Sequence, residues 1–238
     1  MCFLGEVVMG KNVARILIMI VVLLTFPLSV VAAGHILLID PAHGGEETGV
    51  KLSRTVHEKD VTLAVAAGVK QKLSRADDIT VRLTRSDDGN VSLAARKKIL
   101  QESDADIIIS VHVNAGFGQK AEGYEVYYLP HTPPSTQKDD SGEIVRDMER
   151  TRRFNNSVFL AQLVQKNMGR VFPRKGRGVR EAPVYLFPSL KTPAILLEVG
   201  FSTHLDERKK LRDPKVQQAI ADALTDSVME YFQAGGAS

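Results

Sequence analysis

Three apolar runs constrain this chain most: HILLID at 35–40, DIIISVHV at 106–113 and AILLEV at 194–199. Their β-branched and leucine content reads as strands buried in the interior of a sheet, the middle run as a central strand. Between them the apolar period changes. Glu58 to Leu73 carries Val61, Val65, Val69 and Leu73 at helical spacing, and 91–100 also reads as helical. ITVRLT at 79–84 alternates like a strand, and GYEVYYL at 123–129 reads as another. Asp213-Pro214 marks a helix start, followed by an apolar face of Val216, Ile220, Ala223, Leu224 and Val228. Asn155 or Asn156 is placed to cap a helix with Leu160, Leu163, Val164, Met168 and Val171 on one face. Alternation of strands and helices predicts a single α/β domain, which 238 residues suffice to build.

The first 33 residues read differently. Lys11 and Arg15 form a positive region, Ile16 to Leu28 is almost wholly apolar, and Val31-Ala32-Ala33 supplies small residues for cleavage. Residues 1–33 are therefore expected to be a signal peptide, with Met9 as an alternative start. The chain is expected to be exported to the periplasm or the cell wall, with an uncleaved membrane anchor as the alternative. Cys2 is the single cysteine and precedes this segment, so the mature chain needs no disulfide and has no thiolate metal site. The formal charge of +3 becomes +2 once Glu6, Lys11 and Arg15 are removed (+3 − 2 + 1). That is too weak to argue for nucleic acid, and none is expected as a partner.

Four residues carry chemistry: His43 after the first run, Glu58 at the opening of a helix, His112 in the central run and Glu198 in the last. Alternation puts Ser110, His112 and Asn114 on one strand face, where polar groups are costly unless they meet water, a partner or a metal. Two imidazoles and a carboxylate suit a catalytic zinc, and a further carboxylate suits a general base. Taken singly, Glu58 is an ordinary first-turn acid, His43 a loop histidine and His112 a satisfied core histidine; Glu198 within LLEV is harder to dismiss. His57-Glu58 begins like HExxH, but position 61 is Val, so that motif fails.

The stretches IDPAHGGEETG, EKDVTLAVA, VRLTRSDD, LAARKKI, IISVHVNA, GYEVYYL, RGVREAPVYLF and TPAILLEVGFSTHLDE together resemble the zinc-dependent N-acetylmuramoyl-L-alanine amidases of cell division and sporulation. The resemblance covers about His35 to Phe232. It implies a six-stranded, mostly parallel or mixed sheet flanked by helices over 34–233, with 234–238 as a flexible tail. It implies one Zn²⁺ held by His43, Glu58 and His112, with Glu198 as the catalytic glutamate. The implied substrate is peptidoglycan, cut between N-acetylmuramic acid and L-alanine. Zinc would lower the pKa of bound water to roughly 7 and stabilise the oxyanion, and Glu198 would carry the proton to the leaving nitrogen. Asn114 and Arg85 are expected to orient substrate or supporting groups, or to make a strand-end hydrogen bond and an ion pair.

The chain departs from the family pattern in three places. Ala42 stands for the usual glycine before the first histidine, and His204 stands where asparagine is common. The charged segment at about 131–153 is longer than in minimal members; some relatives carry there a helix that blocks the zinc site until a protein activator moves it. Residues Glu143 to Arg153, with Glu143 and Glu149 as their acids, are the candidate for such a segment here, against a solvated charged loop. A monomer is expected. The competing readings are a zinc peptidase that cuts within the stem peptide and a silent relative that only binds peptidoglycan; the latter is expected to lack Glu198 or a ligand.

Overall fold

A computed structural model describes residues 34–76, 78–131, 141–173 and 175–236. The expected signal peptide, with its alternative start at Met9, lies outside the described residues, as do 132–140 of the charged segment. Among the described residues no helix is long and apolar enough to cross a membrane.

The chain forms strands β1 (His35–Pro41), β2 (Ile79–Leu83), β3 (Ile107–Asn114), β4 (Tyr124–Tyr128), β5 (Gly176–Glu181) and β6 (Ala194–Phe201). Its helices are α1 (Glu58–Leu73), α2 (Leu93–Glu102), α3 (Ser141–Val171), α4 (Leu205–Lys210) and α5 (Pro214–Gln233). The strands make one sheet in the order β2-β1-β3-β6-β4-β5. β2, β1, β3 and β6 run parallel, β4 is antiparallel to β6, and β5 is parallel to β4. This is the mixed six-stranded α/β sheet that the resemblance implies.

Alternation sorts the strand side chains into two cores. Leu37, Ile39, Ile107, Ile109, Val111, Ile195 and Leu197 pack under α1, α3 and α5. On the opposite face Leu38, Ile108 and Ala194 pack against Leu100 of α2 and the loop residues Leu186, Phe187 and Leu190. Among the described residues, α1, α3 and α5 thus cover one face, and α2 with the loop around Phe187 packs on the other. His112, Glu198 and Glu125 share the parity of this second face, towards the carboxyl ends of β3 and β6.

Three elements differ from the sequence reading. α3 begins at Ser141, so Asn155 and Asn156 lie inside a helix that the charged residues continue, rather than capping it. Arg, Glu and Met are good helix formers, which outweighs the polarity of the segment. β5, GRGVRE, is an exposed edge strand without an apolar signal. The short α4 is capped by His204, whose side chain accepts from Glu207 N. At the C-terminus, Gly236 N donates to Tyr231 O, turning residues 234–236 back onto α5.

A buried polar cluster underlies the second face. Asp40 pairs with Arg96 and accepts from Thr84 Oγ1 at 2.6 Å and Ser110 Oγ at 2.8 Å. Arg96 also donates to Pro41 O at 2.9 Å and His43 O at 2.8 Å. Both charged groups are buried, Asp40 completely. Asp40→Ala would leave the guanidinium unpaired, so it is expected to cost about 3–5 kcal/mol in urea unfolding. A loss below ~1 kcal/mol would show that Arg96 finds other partners.

Candidate metal centre

The carboxyl end of β1 turns sharply at His43, which adopts φ 60, a left-handed conformation unusual for a residue with a side chain. The turn is held from outside. Arg85, itself buried, donates through Nε to Pro41 O at 3.1 Å and through Nη2 to Ala42 O at 3.0 Å and Lys59 O at 2.8 Å. It also reaches Asp87 O at 2.9 Å. Arg85 therefore ties the His43 turn to the first turn of α1; it makes these bonds to backbone carbonyls and forms no ion pair among the described residues. Ala42 is buried and is not among the positive-φ residues, so its methyl group imposes no backbone strain.

α1 starts at Glu58, after His57 N donates to Asp60 Oδ2 at 2.8 Å. Glu58 is buried and lies between two imidazoles, with Oε2 3.1 Å from His43 Nε2 and Oε1 3.2 Å from His112 Nδ1. The same oxygens accept from Val50 N and Val113 N, each at 3.0 Å. One potential ligand atom from each of His43, Glu58 and His112 lies within 4.8 Å of the others. Burial alone would raise the Glu58 carboxyl. The bonds to His112 and His43, and then their charges, outweigh it and hold Glu58 well below the usual carboxylate range. His43 is correspondingly raised by its bond to Glu58, against burial. Gly49 closes the cradle at φ +66; a Cβ there would sit 2.5 Å from both Glu58 Oε2 and the His43 ring.

Glu198 occupies the next strand. β6 pairs it with His112 of β3 on one side and Glu125 of β4 on the other. Its Oε2 is sealed from solvent and has no hydrogen-bond partner among the described residues. Burial, reinforced by the Glu58 and Glu125 carboxylates and partly offset by His112 and His43, lifts Glu198 from a glutamate's usual 4.5 to about 7. A buried carboxylate oxygen without a partner is costly. Strand register places Glu198 beside His112, one of the three donors.

Asn114 donates through Nδ2 to Glu125 Oε2 at 3.2 Å, which links the end of β3 to β4. The structure does not bring Glu149 to this site. Glu149 lines a groove with Asp106, Lys191 and Pro193, before β3 and β6 begin, at the opposite end of those strands. Glu143 lies in the first turn of α3. Sequence reasoning did not single out Gly49, Arg96 or Glu125. Arg96 and Leu100 occupy the buried stripe of α2, so a cation at a core position was the available signal.

A single α/β sheet that gathers His43, Glu58, His112 and a raised glutamate at the carboxyl ends of its strands has the site of a hydrolase. Residues 37–230 match the family described as N-acetylmuramoyl-L-alanine amidase, and the chain belongs to that family. Its relatives include the N-acetylmuramoyl-L-alanine amidase AmiA of Escherichia coli, 29% identical over 83% of this chain and 76% of that protein. The crystal structure of an N-acetylmuramoyl-L-alanine amidase from Clostridium difficile 630 superposes with a TM-score of 0.70 at 31% identity, over 86% of this chain and 100% of that one. The CwlD amidase from Clostridioides difficile, solved in complex with the GerS lipoprotein, shares the fold at TM-score 0.67 and 24% identity, over 84% of this chain and 100% of that one. The chain is accordingly a hydrolase of the peptidoglycan amidase type.

Proposed function

We propose that this protein is a zinc-dependent amidase in which His43, Glu58 and His112 hold the metal and Glu198 is the general base. The observation that carries the reading is the sealed, unpartnered Glu198 Oε2 beside three donors within 4.8 Å of one another. Two imidazoles with one carboxylate form a donor set suited to catalytic zinc, which keeps a fourth position open. Held by these three residues, zinc would supply Lewis acidity, which lowers the pKa of a bound water to about 7. Glu198 accepts a proton from the attacking water and returns it to the departing L-alanine nitrogen. Arg85 and Arg96 act at a distance by fixing the turn and the helix that carry His43 and Glu58.

Export is part of the proposal. Peptidoglycan lies outside the cytoplasmic membrane, and residues 1–33 have the charge and apolar pattern of a signal peptide. A protein partner is a second element, supported by the GerS complex of the CwlD relative.

The test is digestion of purified peptidoglycan with zinc present, read by mass spectrometry. Free stem peptides beginning at L-alanine, with glycans stripped of peptide, are expected; a chelator and Glu198→Gln should each abolish them. Fragments cut inside the stem peptide would establish a peptidase instead. A protein that binds no zinc would overturn the metal assignment.

A further inference from the structure

Next to Glu198, on the side away from the two imidazoles, lies a charged group that proton transfer does not use. Glu125 is buried, and its carboxylate accepts from Tyr127 Oη at 2.5 Å, Arg177 Nε at 2.7 Å and Asn114 Nδ2 at 3.2 Å. A second guanidinium, Arg180, holds Nη1 3.8 Å from the same carboxylate. Two guanidinium groups thus face the Glu125 carboxylate.

Arg177 is fixed in two ways. Its Nε is committed to Glu125, and its guanidinium carbon lies 5.2 Å from the centre of the Phe201 ring, itself buried. Among the described residues its Nη1 and Nη2 make no hydrogen bond, and the side chain is 39% exposed. A guanidinium held by Nε and stacked on a ring offers its Nη1–Nη2 edge to solvent. That edge matches the two oxygens of a carboxylate.

Strand order gives the direction. Across the sheet run β1 and β3 with the imidazoles, β6 with Glu198, β4 with Glu125, and β5 with Arg177. With Glu198 as the group that protonates the leaving nitrogen, as proposed above, a leaving peptide extended across the sheet from Glu198 meets β4 and then β5. Adjacent strands lie about 4.8 Å apart and an extended residue spans about 3.4 Å. The free edge of Arg177 therefore lies within one to two residues' reach of the scissile amide, by these approximate spacings.

We propose that Arg177, held by Glu125 and Phe201 and backed by Arg180, is a subsite for a free carboxylate on the leaving peptide, at the residue after L-alanine. The substrate class is an acidic stem peptide in preference to one carrying a carboxamide at that residue. The inference rests on the amidase reading above and specifies which peptide that site accepts.

The experiment compares two synthetic muramoyl peptides, identical except for a carboxylate or a carboxamide on the residue after alanine, with the zinc-loaded full chain. The wild type is expected to favour the carboxylate in kcat/KM by about ten- to a hundredfold, the worth of a charge-assisted hydrogen-bond pair. Arg177→Gln should erase that preference by losing activity on the carboxylate alone, chiefly through KM. Arg177→Lys should restore part of it, because charge is kept and the fork is lost. Equal losses on both peptides, at unchanged zinc content and melting temperature, would overturn the assignment. If Arg177→Gln does not fold, the wild-type comparison decides, and an active enzyme without preference rejects the subsite. A wild type that hydrolyses neither peptide refutes the amidase reading, and the subsite falls with it.

Discussion

Glu198→Gln is expected to slow amide hydrolysis by about 10²–10⁴-fold, the usual contribution of a positioned acid–base group, while the protein keeps its zinc. Glutamine fills the same space between His112 and Glu125 and cannot accept the proton. The substitution has a second signature, in stability, measured on chelator-treated protein. Burial raises Glu198 from 4.5 to about 7. A group raised in the folded state stabilises fully below its unfolded value, and that contribution is lost as pH rises through the folded one. The wild type should therefore weaken relative to Glu198→Gln between about pH 4.5 and 7, by on the order of 2 kcal/mol. Urea unfolding of both proteins at pH 5 and pH 8 reads the difference. Glu58, depressed, works in the other sense and is common to both proteins, so it drops out of the comparison. A variant that keeps more than a tenth of wild-type turnover would remove Glu198 from the chemistry.

His112→Ala and Glu58→Ala are both expected to release zinc and with it hydrolysis, but they should differ in what else is lost. Changing an outer-shell partner of a metal ligand typically costs about 10–100-fold in metal affinity, so removing a ligand should cost more than about a hundredfold. His112 is a partly exposed strand residue, and truncating it should leave the fold near wild type. Glu58 also receives Val50 N and Val113 N. Its loss strands the buried amide of Val113, so Glu58→Ala should cost about 1–3 kcal/mol more. Zinc content after dialysis, with thermal unfolding of the metal-free proteins, separates the two effects. Retention of stoichiometric zinc by either variant would mean that the ion sits elsewhere.

Much of the framework was legible because burial writes itself into sequence. The bounds of α1 and the inner strands β1, β3 and β6 follow from apolar spacing, since each must face a core. β5 was not legible from its own residues, because an edge strand with exposed Arg and Glu side chains has no apolar face to display. The start of α3 was hidden for the opposite reason: Asn155 and Asn156 have cap chemistry, but good helix formers precede them and carry the helix on. Within the site, the four chemistry-bearing residues stood out by their positions at the ends of elements. Glu58 on its own was indistinguishable from a helix-dipole acid. Only the tertiary approach of Val113 N and two imidazoles shows why it is buried. Glu125 was missed because YEVYY reads as a strand without showing which face is buried; the structure puts Glu125 beside Glu198 and bonds it to Arg177.

The exposure of the two imidazoles has a consequence for how a solid substrate is met. His43 and His112 each leave 24% of the side chain open among the described residues. A crosslinked wall cannot send a single free end down a tunnel. Imidazoles open to solvent are expected to let the mesh lie side-on, so that each peptide branch along a glycan can be approached where it stands. Cutting is then expected to start in the middle of intact material as readily as at strand ends.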